Sequence, residues 1–391
     1  MLVHKIIRTQ YLKKLKMSSF QRNCNEDKFL QIEKEILKDT NARGDLKKLA
    51  KPGDLEKIVS HLRSIKNSPD HGKCLLLTGF PCIETSKVVE NIASNSETKE
   101  TRNVQETDGI AGVIAIARAM GPNKCIIGVE GDDNAECQSF EDSASYAVKR
   151  ALDDLGEETT SFLPNKFANQ HNKFQILSIP TVRKLQAQKQ DILFKQDILD
   201  KLGEYSILAI EKAGYSLSDN DNENSIMSTN FNEKCKSYTM KARDITLDCA
   251  PADFMKCLWD NAILRMAIGD GGNELGLGAV NNLTCQHIPQ GNQIACMPEF
   301  SADLLLISGV SNWGGYAIGL GILSMGERKF HLKQRDVISE DSERVIAKTL
   351  RNLGVCDGVT GKFEHNTVDG ISFEKHMILL QKLREILLSS N

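Results

Sequence analysis

The chain predicts an α/β fold, a mostly parallel, doubly wound sheet with helices on both faces. Four short apolar runs carry this expectation: Lys73-Cys74-Leu75-Leu76-Leu77, Lys124-Cys125-Ile126-Ile127-Gly128-Val129, Ser206-Ile207-Leu208-Ala209-Ile210 and Asp303-Leu304-Leu305-Leu306-Ile307. None alternates with polar residues, which suits strands buried on both faces, and such strands are normally parallel. Each run stops abruptly at a glycine-rich or polar turn. Segments of helical composition lie between them, and in a sheet built that way ligands gather at the carboxyl ends of the strands.

Taken in order, Met1 to Asn25 differs from the rest. It carries Lys5, Arg8, Lys13, Lys14, Lys16 and Arg22 among apolar residues, with no acid before Glu26. A basic, amphipathic, acid-poor segment reads as a mitochondrial transit peptide, which would place the mature protein in the matrix, or else as a short basic extension. Residues 26–69 read as a helical lead-in. Phe29, Ile32, Ile36 and Leu37 share one face and Leu55, Ile58, Val59, Leu62 and Ile65 another, at spacings of three and four, with Gly44, Pro52 and Gly53 between. Residues 70–391 form the expected α/β domain. Its helices are predicted over Gly109–Met120, Asp142–Leu155, Thr181–Leu202, Trp313–Met325 and Phe373–Leu388. Phe254, Leu258, Ala262 and Met266 are spaced by four, a helical face giving way to a short strand before Gly269. Between Tyr215 and Lys236 lies a polar stretch that reads as an exposed insertion.

The composition excludes several functions. A chain of 391 residues, 40% hydrophobic and 26% charged, with a formal net charge of −3, is an ordinary globular protein without the basic character of a nucleic-acid binder. No stretch reaches the ~18 consecutive apolar residues that suggest a membrane span. The eleven scattered cysteines include no Cys-x-x-Cys pair, so reduced thiols fit better than disulfides or a zinc cluster.

The richest chemical signal is Ile268-Gly269-Asp270-Gly271-Gly272-Asn273-Glu274-Leu275-Gly276-Leu277-Gly278. Glycine loses the most chain entropy on folding, so such a cluster marks backbone with positive φ or lying close against something. Asp270, Asn273 and Glu274 offer oxygen atoms to an amine, a water or a hard cation, while free glycine N–H groups can hold a carboxylate. A tight turn with capping side chains is the simpler alternative. The spacing is not a dinucleotide fingerprint and no Walker lysine follows, so no nucleotide is expected.

Six ordered segments resemble the D-glutamate cyclase family: Leu77-Thr78-Gly79-Phe80-Pro81, Glu106-Thr107-Asp108-Gly109, Ile210-Glu211-Lys212-Ala213-Gly214, Ile268 to Gly278, Gly309 to Ala317 and Val368-Asp369-Gly370. The resemblance runs from about residue 50 to the C-terminus and matches the cyclase module alone, without the additional N-terminal hydro-lyase-like domain of longer animal members. It implies an enzyme that closes D-glutamate to 5-oxo-D-proline with loss of water, a hydro-lyase, and a mitochondrial location. The alternatives are a related α/β enzyme acting on another small amino or hydroxy acid, and a non-catalytic ligand-binding relative.

That chemistry needs a base for the ammonium, a proton or cation for the γ-carboxylate and an anion site for the α-carboxylate. Asp270 and Glu274 are the candidates for amine binding and deprotonation. Glu106 and Asp108 are candidates for proton delivery or, with Asp270, for a cation such as Mg²⁺ or Mn²⁺. The backbone N–H groups of Gly271, Gly272, Gly314 and Gly315, with Asn273, Ser311 and Asn312, are the candidate carboxylate cradle. Glu211 and Lys212 join the substrate-binding set. Asp108 and Asn312 have a simpler reading as caps of the helices that follow them. Family members also tend to carry an arginine shortly after the Glu-x-Ala-Gly segment, where this chain has Tyr215. If that arginine holds a carboxylate, Lys241, Arg243 or Lys212 must replace it.

Overall fold

The computed structural model describes residues 24–38, 43–68, 72–91, 96–130, 144–162, 172–188, 195–217, 231–324, 336–361 and 367–388. All but the last two residues of the basic N-terminal segment lie outside them, as do most of the polar insertion and the turn after Glu130. In chain order the strands are β1 (Lys73–Gly79), β2 (Pro81–Asn91), β3 (Ser96–Gln105), β4 (Cys125–Glu130), β5 (Thr159–Ser161), β6 (Phe174–Ile179), β7 (Tyr205–Lys212), β8 (Ser216–Leu217), β9 (Cys235–Lys236), β10 (Arg265–Gly269), β11 (Leu304–Ile307), β12 (Thr367–Val368) and β13 (Ile371–Ser372). The helices of seven or more residues are α1 (Cys24–Ile36), α2 (Asp54–Asn67), α3 (Ile110–Met120), α4 (Ala144–Asp154), α5 (Val182–Gln188), α6 (Lys195–Leu202), α7 (Ala252–Asn261), α8 (Asn281–His287), α9 (Ser311–Ser324), α10 (Glu340–Asn352) and α11 (Phe373–Leu388).

Seven strands form one sheet in the order β11-β10-β7-β1-β4-β6-β5, and every neighbouring pair is parallel. The unbroken apolar runs are explained by its two faces. Cys74, Leu76, Leu208, Ile210, Met266 and Ile268 face one core with α1, α2, α3, α4, α9, α10 and α11. Their neighbours Leu75, Leu77, Ile207, Ala209 and Ala267 face a second core with α6 and α7. A strand clothed by helices on both sides has no solvent face, so its two-residue period leaves no polar trace. The lead-in helices α1 and α2 share the first core, through Phe29, Ile32, Leu55 and Ile58.

One helix contact depends on glycine. A Cβ on Gly315 of α9 would sit 2.4 Å from the Gly112 Cα of α3, so the two backbones touch where no side chain fits. This approach sets the spacing of α3 and α9, whose N-termini both point into the site.

Several elements depart from the sequence reading. Helix α7 ends at Asn261, where Ala262 turns extended, so Met266, the fourth member of the spaced set, belongs to β10. The strands β5 and β6, the hairpin β2–β3 and the helix α10 had no counterpart in it. The stretch expected as one helix over Thr181–Leu202 has α5 and α6 at its two ends, and residues 189–194 lie outside the described set. The insertion is closed at its base by the antiparallel pair β8–β9.

Candidate active site

Parallel strands end on the same edge of a sheet, and here they bring chemistry with them. β7 ends in Glu211 and Lys212, β4 in Glu130, and β10 runs directly into Asp270. The turn before α3 adds Glu106 and Asp108, and the tight turn between β12 and β13 adds Asp369. All seven of these residues are buried, as is Glu274.

The glycine-rich loop after β10 is folded around its own carboxylate. Glu274 accepts the amides of Asp270 at 2.8 Å, Gly271 at 2.5 Å and Gly272 at 2.7 Å. Gly272 has φ 96° and its missing Cβ would lie 2.4 Å from Thr284, a conformation and a space that only glycine satisfies. This corrects the expectation that the Gly271 and Gly272 amides hold a substrate carboxylate, because both already serve Glu274. With three donors on its two oxygens, Glu274 shapes the loop and leaves Asp270 as its outward-facing acid. Asn273 is also engaged, donating from Nδ2 to the Tyr238 carbonyl at 2.8 Å.

Helices α3 and α9 cap each other. Asp108, just before α3, accepts the backbone N–H groups of Ser311 at 2.8 Å and Asn312 at 2.8 Å on α9. Asn312 in turn accepts the Gly112 N–H of α3 at 2.7 Å and donates to the Thr107 carbonyl at 3.3 Å. Both residues are therefore caps, each of the other's helix rather than of its own. The expected carboxylate cradle at Ser311, Asn312 and Gly314 needs the same correction. The first two amides are bonded to Asp108, and a Cβ on Gly314 would meet Ile268 at 2.7 Å, so this glycine lets α9 lie against β10. The Ser311 hydroxyl remains chemically useful: it donates to Glu211 Oε2 at 2.6 Å.

What is left in the middle is a set of carboxylates with few compensating cations. Glu106 and Glu211 are near neighbours, and the charge of Glu106 opposes ionisation of Glu211. Burial, followed by the charges of Asp369 and Asp108, pushes Glu106 well above the usual carboxylate range. Burial and the nearby Glu274 and Glu106 do the same to Glu211. Asp108 is pushed up to about 7 by burial and Asp369, against the pull of its hydrogen bonds from Asn312 and Ser311. Burial raises Asp270 well above its usual value, although the charge of Arg43 opposes this. Glu211 holds a positive φ of 41°, a strained backbone of the kind found where a side chain must be aimed.

Arg43 is the cation that the sequence reading missed. Its guanidinium pairs with Asp270 Oδ1 and, at 2.5 Å, with Asp369 Oδ2. Burial works against its charge, but Asp270, Asp369 and Glu211 outweigh that and raise its pKa further. The loop is pinned behind it: Gly44 has φ 113°, its missing Cβ would lie 2.5 Å from the His287 carbonyl, and Asp45 N donates to that carbonyl at 3.2 Å. The basic residues named as substitutes for the family arginine are elsewhere. Lys212 is fully buried in an ion pair with Glu130, Arg243 donates to the Cys82 carbonyl, and Lys241 is exposed.

Two triads could hold a hard cation. Asp108, Asp270 and Asp369 each place an oxygen within 4.8 Å of the others, as do Glu211, Asp270 and Glu274. An all-carboxylate set suits Mg²⁺ or Mn²⁺ rather than a soft metal. Buried oxygens here without a hydrogen-bond partner include Asp270 Oδ2, Asp369 Oδ2, which meets Arg43 as an ion pair, Glu130 Oε2, Thr78 Oγ1 and Thr107 Oγ1.

The raised carboxyls have a consequence for stability. Below about pH 4 they are protonated in both folded and unfolded chains. Above that the folded chain holds the extra protons, so stability falls as pH rises through the raised values, about 7 for Asp108 and for Glu343, which is buried on α10 and accepts from the Tyr316 hydroxyl, and Glu106, Glu211 and Asp270 act in the same direction. His376, whose pKa burial lowers, acts in the opposite sense but is outnumbered. The melting temperature is expected to be higher at about pH 5 than at about pH 8. A flat or rising profile in scanning calorimetry would contradict this charge distribution.

Together these features define an α/β protein that presents a buried acid–base cluster at the carboxyl edge of a parallel sheet. The model of the D-glutamate cyclase-like C-terminal family matches residues 32–384, and the chain belongs to that family. The match takes in α1 from Ile32 on, the Arg43 loop and α2. The mitochondrial D-glutamate cyclase of Homo sapiens is 51% identical over 145 residues, an alignment that covers 32% of this chain and 23% of that protein. Among the described residues no helix is long and apolar enough to cross a membrane.

Proposed function

We propose that the protein is a D-glutamate cyclase, a hydro-lyase that closes D-glutamate to 5-oxo-D-proline and water. The observation that carries the reading is the gathering of buried carboxyls, Glu106, Glu211 and Asp270, at one sheet edge, with Asp270 Oδ2 left without a hydrogen-bond partner. In the reaction the amine nitrogen bonds to the γ-carboxyl carbon and one γ-oxygen leaves. Two of the three ammonium protons must end on that oxygen. Asp270 accepts the first from the ammonium, which frees the lone pair for attack. Glu106 and Glu211 supply one proton to the γ-carboxylate, without which it is a poor electrophile; the second nitrogen proton restores the pair, and Asp270 passes the proton it took to the same γ-oxygen, which departs as water. Raised pKa values serve both tasks, because a base and an acid work best when their pKa lies near the operating pH. Asp108, Asn312 and Glu274 hold the loops and helix ends that aim these groups. A divalent cation among the carboxylates would neutralise charge on the γ-oxygens.

The family and the name of the human relative support this reading. Purified protein incubated with D-glutamate, with and without EDTA, is expected to yield 5-oxoproline detectable by mass spectrometry. Absence of product under both conditions, with or without added Mn²⁺, would sink the proposal. The composition of residues 1–25 and the mitochondrial name of the relative further support import into mitochondria, and a reporter fused to those residues tests it. A reporter that stays cytosolic would remove that part of the account.

A further inference from the structure

We propose that Arg43, on the loop between α1 and α2, is the residue that binds the substrate's α-carboxylate and selects for an amino acid whose α-carboxyl is free and charged. The inference rests on the D-glutamate reading above. Glutamate near neutral pH carries two carboxylates and one ammonium, and a pocket of buried acids repels the former. In the glycine turns expected to form an anion site, the amides of Gly271, Gly272, Ser311 and Asn312 all donate to protein carboxylates. Lys212 is committed to Glu130 inside the protein. Arg43 instead lies among the acids themselves, paired with Asp270 and Asp369, and retains 12% side-chain exposure.

Binding then becomes an exchange of partners. The incoming ammonium takes Asp270 in place of the guanidinium, and the α-carboxylate takes the guanidinium, so no charge is left buried alone. An arginine suits the α-carboxylate rather than the γ-carboxylate. The α-group keeps its charge from substrate to product, and a guanidinium is charged throughout. Its planar fork can also grip both oxygens of one carboxylate, which fixes the direction of the α-carbon. Because Gly44 and Asp45 are pinned to His287, the side chain can change partners while its backbone stays in place.

The test compares two substrates on the same enzyme: D-glutamate and its α-amide, which lacks the α-charge but keeps the amine and the γ-carboxylate. The ratio of their kcat/KM values is independent of how much of a variant is folded. Wild type is expected to favour D-glutamate by ~10²-fold or more, the discrimination of a site built for a charged hydrogen-bonding group. In Arg43→Ala the ratio falls towards one, with the loss mostly in KM for D-glutamate. In Arg43→Lys, which keeps the charge but not the fork, the ratio is intermediate, and this variant decides the matter if Arg43→Ala fails to fold. A wild-type ratio that persists in the folded variants would overturn the assignment while leaving the D-glutamate reading intact. A wild type that turns over neither substrate would overturn the reading itself, and Arg43's role with it.

Discussion

Replacing Asp270 by asparagine is expected to lower kcat by on the order of 10²-fold or more, the loss associated with removal of a general base, and to leave the fold intact. Two features make the effects separable. The loop conformation comes from Glu274, which holds the backbone amides of Asp270, Gly271 and Gly272, and asparagine leaves those bonds in place. An asparagine Oδ1 can also still accept from Arg43, although the charge of the pair is lost. Asp270 itself is a buried acid among acids, so neutralising it removes repulsion from Glu211, Asp369 and Asp108. The melting temperature of the variant is therefore expected to match or exceed that of the wild type. Near-normal kcat with a lowered melting temperature would make Asp270 a structural residue. Glu274→Gln is expected to behave in the opposite way, destabilising the loop as well as lowering activity, because an amide nitrogen cannot accept the bonds that Glu274 Oε1 and Oε2 now receive.

The second large effect is stereochemical. Three groups hold the substrate in this account: Arg43 its α-carboxylate, Asp270 its ammonium, and the Glu106–Glu211 pair its γ-carboxyl. Inversion at the α-carbon exchanges the amine and the hydrogen, so with both carboxylates seated the L-isomer presents hydrogen to Asp270. A misplacement of about 1 Å can already cost ~10²-fold, and the D-isomer is expected to be preferred by at least that factor in kcat/KM. Binding discriminates less than turnover, since both isomers still present two carboxylates. Rates of 5-oxoproline formation from the two isomers under identical conditions check this, and equal rates would show that these three groups do not set the handedness.

The central strands were legible because they are buried on both faces and read as unbroken apolar runs. β6, with Gln175 and Ser178 half-buried among its apolar residues, lies towards the sheet edge and lacks that signal. The hairpin β2–β3 is strongly polar in sequence and stands apart from the main sheet. The positions of Asp270, Glu211, Glu106 and Asp108 at strand ends and turns followed from the expected topology. Which of them remained available for chemistry did not. Asp270 and Glu274 are four residues apart in one loop, and only the folded backbone reveals that Glu274 is occupied by three amides. Asp108 and Asn312 carry a capping signal, but a sequence suggests the adjacent helix as its object, whereas here the caps are exchanged between α3 and α9. Arg43 had no local signal beyond the glycine that follows it. Its role arises from long-range proximity to Asp270 and Asp369, which no spacing rule encodes.

The most direct test of the ring-closing account is a time course with D-glutamate labelled with ¹⁵N at the amine, with the product followed by chiral chromatography and mass spectrometry. The account predicts 5-oxo-D-proline that retains the label and the D configuration and has lost one water, formed by wild type and suppressed in Asp270→Asn. A product that had lost the ¹⁵N, or D-glutamate recovered unchanged, would contradict it, and loss of the label would assign the carboxylate cluster to a different reaction on a small amino acid.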